Sequence, residues 1–312
     1  MAQYIILDIG GTQIRAACFP TESQIPTKVV RIPTQGDGIP PLDRLTNLIA
    51  EVWPSPDAVA AIGVAAAGPL DPYAGIVIEA PNIPGWINVP LKQHLENRFH
   101  VPVYLGNDAN MAALGEWKYG AGRGHHHLIY MTISTGIGGG IIVDDQLLLG
   151  ARGFAGELGH ITILPDGPLC GCGQRGHLEA LASGPAIALW VENELKCGVA
   201  SILPSSGSLT AKDVGHAAEQ GDPLALAALS RAGHFLGIAL ANYLHIFNSS
   251  IIILGGGVSK CGYLLIQPLK TSIAEHVLSI DYFNEVTITT AALGDDAGLM
   301  GALALTQARA GR

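Results

Sequence analysis

A glycine-rich hairpin is written twice into this sequence, and that repeat constrains the fold more than any other feature. Tyr4-Ile5-Ile6-Leu7-Asp8-Ile9 reads as a strand, Gly10-Gly11-Thr12 as a tight polar bend, and residues 14–19 as the returning strand. The same order recurs at Leu128–Ile133. There Ser134-Thr135-Gly136-Ile137-Gly138-Gly139-Gly140 is the bend, residues 141–143 return, and Asp144-Asp145 turn again. Each hairpin has a later apolar strand closed by glycine. Residues 60–67 end at Gly68-Pro69, and residues 251–254 end at Gly255-Gly256-Gly257. Helical spacing of apolar residues fills the gaps at 42–52, 91–99, 110–119 and 178–195. Thr210-Ala211-Lys212-Asp213 has the form of a capping box. Gly221-Asp222-Pro223 stops that short helix and opens a long one to about residue 247, while residues 197–207 read as loop. The expected fold is a duplicated α/β unit.

A chain of 312 residues suits two domains. With 48% hydrophobic and only 14% charged residues it is expected to fold rather than stay disordered. The formal net charge of −9 argues against a broad nucleic-acid or membrane surface, either of which calls for a basic excess. No uninterrupted apolar run is long enough to predict a membrane span. The first residues lack the basic start of a signal peptide. Five cysteines, two of them one residue apart, fit a reducing, cytoplasmic setting and a metal site better than a disulfide framework.

In the first hairpin, Gly10 and Gly11 let main-chain N–H groups face an anion, and Thr12 adds a hydroxyl. Asp8 at the strand end is suited to hydrated magnesium. The plain alternative is an ordinary hairpin turn. The second bend supplies Thr135 and Gly136, and Gly255-Gly256-Gly257 can lie against a nucleotide base or sugar. Neither bend is a Walker loop, since no Gly-Lys-Ser/Thr follows. Nor is the second a dinucleotide fingerprint, since a strand rather than a helix comes next.

Gly106-Asn107-Asp108-Ala109-Asn110 lies between a strand at 101–105 and a helix. Asp108 reads either as the helix N-cap or as a carboxylate base for transfer of a phosphoryl group to a hydroxyl. His160, Cys170, Cys172 and His177 supply a four-ligand nitrogen and sulfur set for structural zinc. The alternative is two free thiols in a glycine-rich loop with unrelated histidines. His125-His126-His127 is read as a solvated loop, and Cys18, Cys197 and Cys261 as packing residues. Arg15 and Lys260 lie near glycine loops, where a phosphate role is open to either, and neither is assigned one. Residues 224–247 read as core.

Taken in order, Asp8 to Thr12, Ser134 to Gly140 and Gly255 to Gly257 resemble the phosphate and adenosine motifs of the actin/hexokinase/Hsp70 ATPase superfamily. That resemblance implies an α/β chain of two RNase-H-like (actin-like ATPase) domains with ATP in an interdomain cleft. Glu157-Leu158-Gly159-His160 followed by Cys170-Gly171-Cys172-Gly173-Gln174-Arg175-Gly176-His177-Leu178-Glu179 is similar to the zinc signature of the ROK family of repressors and kinases. That signature is usually Glu-x-Gly-His and then Cys-x-Cys-Gly-x-x-Gly-Cys-x-Glu. His177 stands where the pattern has its last cysteine.

The resemblance implies ATP and Mg²⁺ as cofactors, and a hexose pocket formed by Asn82, Asn107, Asp108, Glu157, His160 and Glu179. His160 would bind zinc through one ring nitrogen and sugar through the other. It further implies a small domain of residues 1–117 plus 297–312, a large one of 118–296, and a homodimer or higher homo-oligomer. Residues 293–302, rich in small side chains, are expected to form a closely packed helix at the domain junction. Residues 155–160 resemble the glucokinase version of their loop, which implies transfer to the 6-hydroxyl of glucose. N-acylhexosamine kinases and fructokinases are the nearer alternatives. A ROK transcriptional regulator and an actin-like or chaperone ATPase are rivals of another class. The family's repressors carry an N-terminal helix-turn-helix, for which a hairpin starting at residue 4 is expected to leave no room.

Overall fold

The computed structural model describes residues 2–36, 38–54, 58–80 and 83–311. Asn82, expected in the hexose pocket, lies outside the described residues. The first part of the chain runs β1 (Gln3–Ile9), β2 (Gln13–Pro20), β3 (Lys28–Pro33), α1 (Pro41–Val52), β4 (Val59–Ala66), β5 (Leu70–Asp71), β6 (Ile76–Glu79), β7 (Ile87–Val89), α2 (Leu91–Phe99), β8 (Val103–Asn107) and α3 (Asp108–Tyr119). The second part runs β9 (Leu128–Ile133), β10 (Ile137–Val143), β11 (Gln146–Leu147), α4 (Leu178–Ala182), α5 (Gly184–Lys196), α6 (Ala211–Glu219), α7 (Pro223–Phe247), β12 (Ile251–Gly255), α8 (Tyr263–His276), β13 (Thr287–Thr290) and α9 (Ala297–Ala310).

The repeat read from the sequence is a repeat of topology. One five-stranded sheet has the order β3-β2-β1-β4-β8 and another the order β11-β10-β9-β12-β13, and β5, β6 and β7 form a small third sheet. In each five-stranded sheet the hairpin half is antiparallel and the last three strands are parallel. This is the doubled RNase-H-like arrangement that the resemblance implies.

Both central strands are covered on two faces, as the alternation of side chains along a strand demands. Ile5, Leu7 and Ile9 of β1 face a core shared with α1 and α2, while Tyr4 and Ile6 face α3 and α9. In β9, Ile129, Met131 and Ile133 join the core of α4 to α8, and Leu128 and Tyr130 face the α3 side. By length and composition α7 could cross a membrane; here it is the central helix of the second core, with Leu229, Leu236, Leu240 and Leu244 fully buried. Each such leucine contributes about 1.5–3 kcal/mol through burial.

Helix α3 packs on β9 and β10 and also on α9, which returns the C-terminus to β1, β4 and β8. The expected close packing of the small residues near 301 is present. A Cβ at Gly301 would collide with the Met111 carbonyl of α3. Gly301→Ala is therefore expected to destabilise the chain by about 1–3 kcal/mol, read as a lower melting temperature. An unchanged melting temperature would show that α3 and α9 can separate at no cost. Glu116, fully buried, holds both chain crossings beside this pair. Its Oε2 accepts the Ala121 N–H at 2.9 Å and its Oε1 the Leu293 N–H at 2.7 Å.

Three sequence expectations need correction. Residues 137–140 are not bend but the start of β10, paired with residues 130–133 of β9. The glycines thin that strand: a Cβ on Gly140 would strike the Ala113 methyl of α3, and one on Gly139 would strike Leu158. The helix expected at 178–195 is two helices, parted at Ser183, whose hydroxyl accepts the Ala186 N–H at 3.3 Å and caps α5. Helix α3 begins at Asp108 rather than Asn110, because Asn107 caps it.

Candidate functional site

Two hollows flank the bend at Ser134 and Thr135, and both residues line each of them. The first, of about 460 Å³, gathers Asn107, Asp108, Asn110, Glu157, His160 and Glu179 with the bend residues Thr135 and Gly136. The second, of about 680 Å³, lies between the starts of α5 and α6 and residues 257–261.

Asp108 is not the N-cap. The Asn107 carboxamide takes that role, accepting from Ala109 N at 3.0 Å and Asn110 N at 3.3 Å, while its Nδ2 donates to the Gly68 carbonyl at 3.1 Å. Among the described residues Asp108 Oδ1 accepts the N–H of Ala109, at 2.8 Å, and no other side-chain bond holds this carboxyl, so most of it stays available to the hollow. Burial pushes this carboxyl up to about 6, and the negative charges of Asp8 and Glu157 act in the same direction against the Ala109 hydrogen bond. A carboxylate tuned towards neutrality at the floor of a cleft is matched to proton transfer.

Glu179, in the first turn of α4, is fixed to the first residue of β10. Its Oε2 accepts the Ile137 N–H at 2.9 Å, and its Oε1 lies 3.5 Å from Cys170 Sγ. The turn from Leu158 to His160 is held from behind by the buried Tyr243 hydroxyl, which donates to the Leu158 carbonyl. Glu157 stays exposed at the rim.

The loop carrying Cys170 and Cys172 folds into a knuckle. Gly173 N–H donates to the Cys170 carbonyl at 2.9 Å, Cys170 N–H to Gln174 at 2.7 Å, and Gly176 N–H to Pro168 at 2.9 Å. This brings one ligand atom each of His160, Cys170, Cys172 and His177 within 4.8 Å of one another. Cys172 Sγ is 3.2 Å from His177 Nδ1, and Cys170 Sγ is 3.8 Å from His160 Nδ1. Tetrahedral zinc bonds to sulfur and nitrogen imply ligand separations of ~3.3–3.8 Å; the two close approaches lie at about the edges of that range, so the residue types and their clustering suit that ion. With Nδ1 of His160 turned to Cys170, Nε2 is the nitrogen left for the hollow.

The remaining expected residues divide. Thr135 and Gly136 line the first hollow, and Thr135 and Gly257 the second, while Gly255 and Gly256 line neither. A Cβ on Gly255 would meet the Tyr130 ring and one on Gly256 the Ile133 carbonyl, so these two glycines pack the strand end. Gly10, Gly11 and Thr12 form the turn between β1 and β2 and line neither hollow, with Gly10 N–H donating to Gln13 at 2.9 Å and Thr34 Oγ1 to Gly10 at 2.7 Å. Thr12 borders a separate shallow depression rather than either hollow.

Asp8 sits behind that turn. Arg15 grips its Oδ2 and reaches Asp296 Oδ1 at 2.8 Å, so this arginine serves the carboxylate rather than a phosphate. Burial raises the Asp8 carboxyl against the pull of Arg15. Oδ1 of Asp8 has no hydrogen bond among the described residues.

Sequence reasoning missed much of the second hollow. Gly184, Lys212, His216 and Glu219 line it, as do Lys260 and Cys261, the first left without a role and the second assigned to packing. The Thr210–Asp213 capping box was the one available signal, and both of its bonds are present. Asn110 was also missed as a lining residue.

Comparison with known proteins agrees with this geometry. The model of the ROK family matches residues 4–309. A glucokinase of Thermotoga maritima is 37% identical over 310 residues, covering 98% of this chain and 97% of that protein. A xylose repressor of Caldicellulosiruptor bescii is 33% identical over 266 residues, covering 84% of this chain and 66% of the repressor. Among solved structures, a ROK family glucokinase from Streptomyces griseus, in complex with glucose and AMPPNP, superposes with a TM-score of 0.79 at 36% identity. That match covers 97% of this chain and 98% of the other.

Proposed function

The chain belongs to the ROK family, and on that premise we propose that it is an ATP-dependent sugar kinase that phosphorylates glucose at its 6-hydroxyl. The observation that carries this reading is that two hollows share Ser134 and Thr135 as lining, with Asp108 lining one of them. The near full-length match to glucokinases supports glucose as acceptor.

Asn107, Glu157, His160 and Glu179 orient the sugar by hydrogen bonds to its hydroxyls. Asp108 accepts the proton of the attacking hydroxyl as the phosphoryl group arrives. Thr135, Gly136 and the Gly10-Gly11-Thr12 turn hold phosphates, and the second hollow, floored by Gly257, holds the nucleoside. Asp8, through Oδ1, would hold a hydrated magnesium ion, which neutralises phosphate charge when bound. His160, Cys170, Cys172 and His177 would hold a structural zinc ion. With four protein ligands it supplies no open position, and its service is to fix the His160 ring.

We assign residues 1–117 with 297–312 to one lobe and 118–296 to the other; the packing of α9 on β1, β4 and β8 supports the return of the C-terminus. Five unpaired cysteines support a reducing, cytoplasmic setting. Exposed Ile246, Tyr263 and Leu278 offer apolar surface for a homodimer.

A coupled ADP-release screen over glucose, mannose, fructose, N-acetylglucosamine and N-acetylmannosamine tests the reading. Glucose is expected to give the highest kcat/KM. Release of ADP at an equal rate without any sugar would point instead to a plain ATPase.

A further inference from the structure

Asn110 is 3% exposed and borders the first hollow, yet its side chain makes no hydrogen bond among the described residues, and its Oδ1 is a buried acceptor with no donor. Such an orphan costs about 1–3 kcal/mol of desolvation, and native interiors rarely keep one without a use. A chain indifferent to this oxygen would be more stable with an apolar residue of the same size.

The space around Oδ1 indicates which donor it awaits. It lies between β10 and the segment that carries Glu157, where a Cβ on Gly156 would stand 3.4 Å from it. In that segment Ala155 N–H donates to Leu149 and Leu158 N–H to Gly156. The N–H groups of Gly156 and Glu157 have no partner among the described residues. The segment is also rich in glycine conformations. Gly150, Gly153 and Gly156 all hold positive φ, at 69°, 81° and 93°, so three pivots lie within seven residues of one another. An unpaired acceptor thus lies beside a glycine-rich loop whose Gly156 and Glu157 N–H groups have no partner among the described residues, and that loop bears a carboxylate at the rim of the hollow.

We infer that Asn110 is a positioning residue for the sugar-binding loop: when a hexose enters, the loop settles and the Asn110 amide oxygen takes the main-chain N–H of Gly156 or Glu157, which fixes the Glu157 carboxylate on the sugar. The inference rests on the sugar-kinase reading of the same hollow. It makes part of the sugar affinity depend on a side chain that need not touch sugar. The apo protein keeps the unpaired oxygen as a stored cost, and sugar binding releases it.

The test compares Asn110→Leu and Asn110→Ala with the unsubstituted protein, using calorimetric glucose binding, melting temperatures with and without glucose, and KM for both substrates. One hydrogen bond lost only in the closed state predicts a glucose Kd raised about 5- to 10-fold in both variants. The glucose-induced rise in melting temperature should shrink, and the KM for ATP should stay within twofold. Asn110→Leu should leave the sugar-free protein as stable as before or more so, since it removes the orphan. A glucose Kd within twofold of normal in both variants would overturn the inference, whatever the melting temperature. So would a parallel rise in the KM for ATP, which means general damage. If the unsubstituted protein binds none of the hexoses, the kinase reading falls first and takes this inference with it.

Discussion

Asp108→Asn is expected to lower kcat by about 10²-fold or more, the range for loss of a general base, while the KM for glucose changes little. The substitution is nearly isosteric, and the hydrogen bond of the carboxyl from Ala109 N–H, at 2.8 Å, can be kept by the amide oxygen. What is lost is the capacity to take a proton. A fall in kcat and kcat/KM together would mark an interaction made only in the transition state. Turnover within a few-fold of normal would remove Asp108 from the chemistry.

The position of its titration sharpens the test. Burial holds the carboxyl at about 6, above the ordinary 3.8. The base is active when ionised, so kcat/KM should fall as pH drops through about 6, and the asparagine variant should lose that limb. The effect on stability runs the other way. A carboxyl whose folded value is raised favours the folded state most below its unfolded value, and that contribution is lost as pH rises through about 6. At pH 7 the ionised Asp108 therefore costs stability, on the order of 1–3 kcal/mol. Asp108→Asn should melt at the same temperature or higher while being nearly inactive. A variant both inactive and less stable would point to a structural role instead.

The pairing of stability cost with function explains which parts of the site the sequence made legible. The hairpins at 3–20 and 128–143, the helix at Leu91–Phe99 and the long helix ending at Phe247 follow from periodicity and from Asp-Pro and glycine punctuation, all local signals. The Cys/His cluster was legible because ligand chemistry requires particular residue types whatever the fold. Glycines were not self-explanatory. Gly138, Gly139 and Gly140 look like a phosphate cradle in one dimension, but helix α3 and Leu158 lie against them. The same applies to Gly255 and Gly256, which make room for Tyr130 and the Ile133 carbonyl. Packing partners far away in sequence decide such cases. The Asn107 and Asp108 pair was ambiguous for a related reason: either residue makes a good N-cap, and only the backbone at the end of β8 selects Asn107. Lys260 and Cys261 carry no motif at all, and only the approach of residues 257–261 to α6 brings them to the second hollow.

Removing the zinc proposed for the Cys/His cluster is expected to have the second-largest effect, and the order in which functions fail carries the information. His160 faces Cys170 through Nδ1 and borders the first hollow, and Glu179 spans from Cys170 Sγ to the Ile137 N–H at the start of β10. Two of the proposed sugar ligands therefore hang directly on the knuckle, whereas the nearest walls of the second hollow are α5, α6 and residues 257–261. Chelation, or Cys172→Ala, should abolish a stoichiometric zinc content measured by atomic absorption and raise the KM for glucose by about 10-fold or more, as loss of an orienting partner does. The KM for ATP should change later and less. His177→Cys restores four ligands of an ordinary zinc set and should keep the metal and the glucose affinity, which separates the ligand from its chemical type. If ATP binding fails first on chelation, the ion is a distant brace for the second lobe. If His177→Ala retains full zinc and normal glucose KM, His177 is not the fourth ligand, and the 3.2 Å approach to Cys172 is only packing.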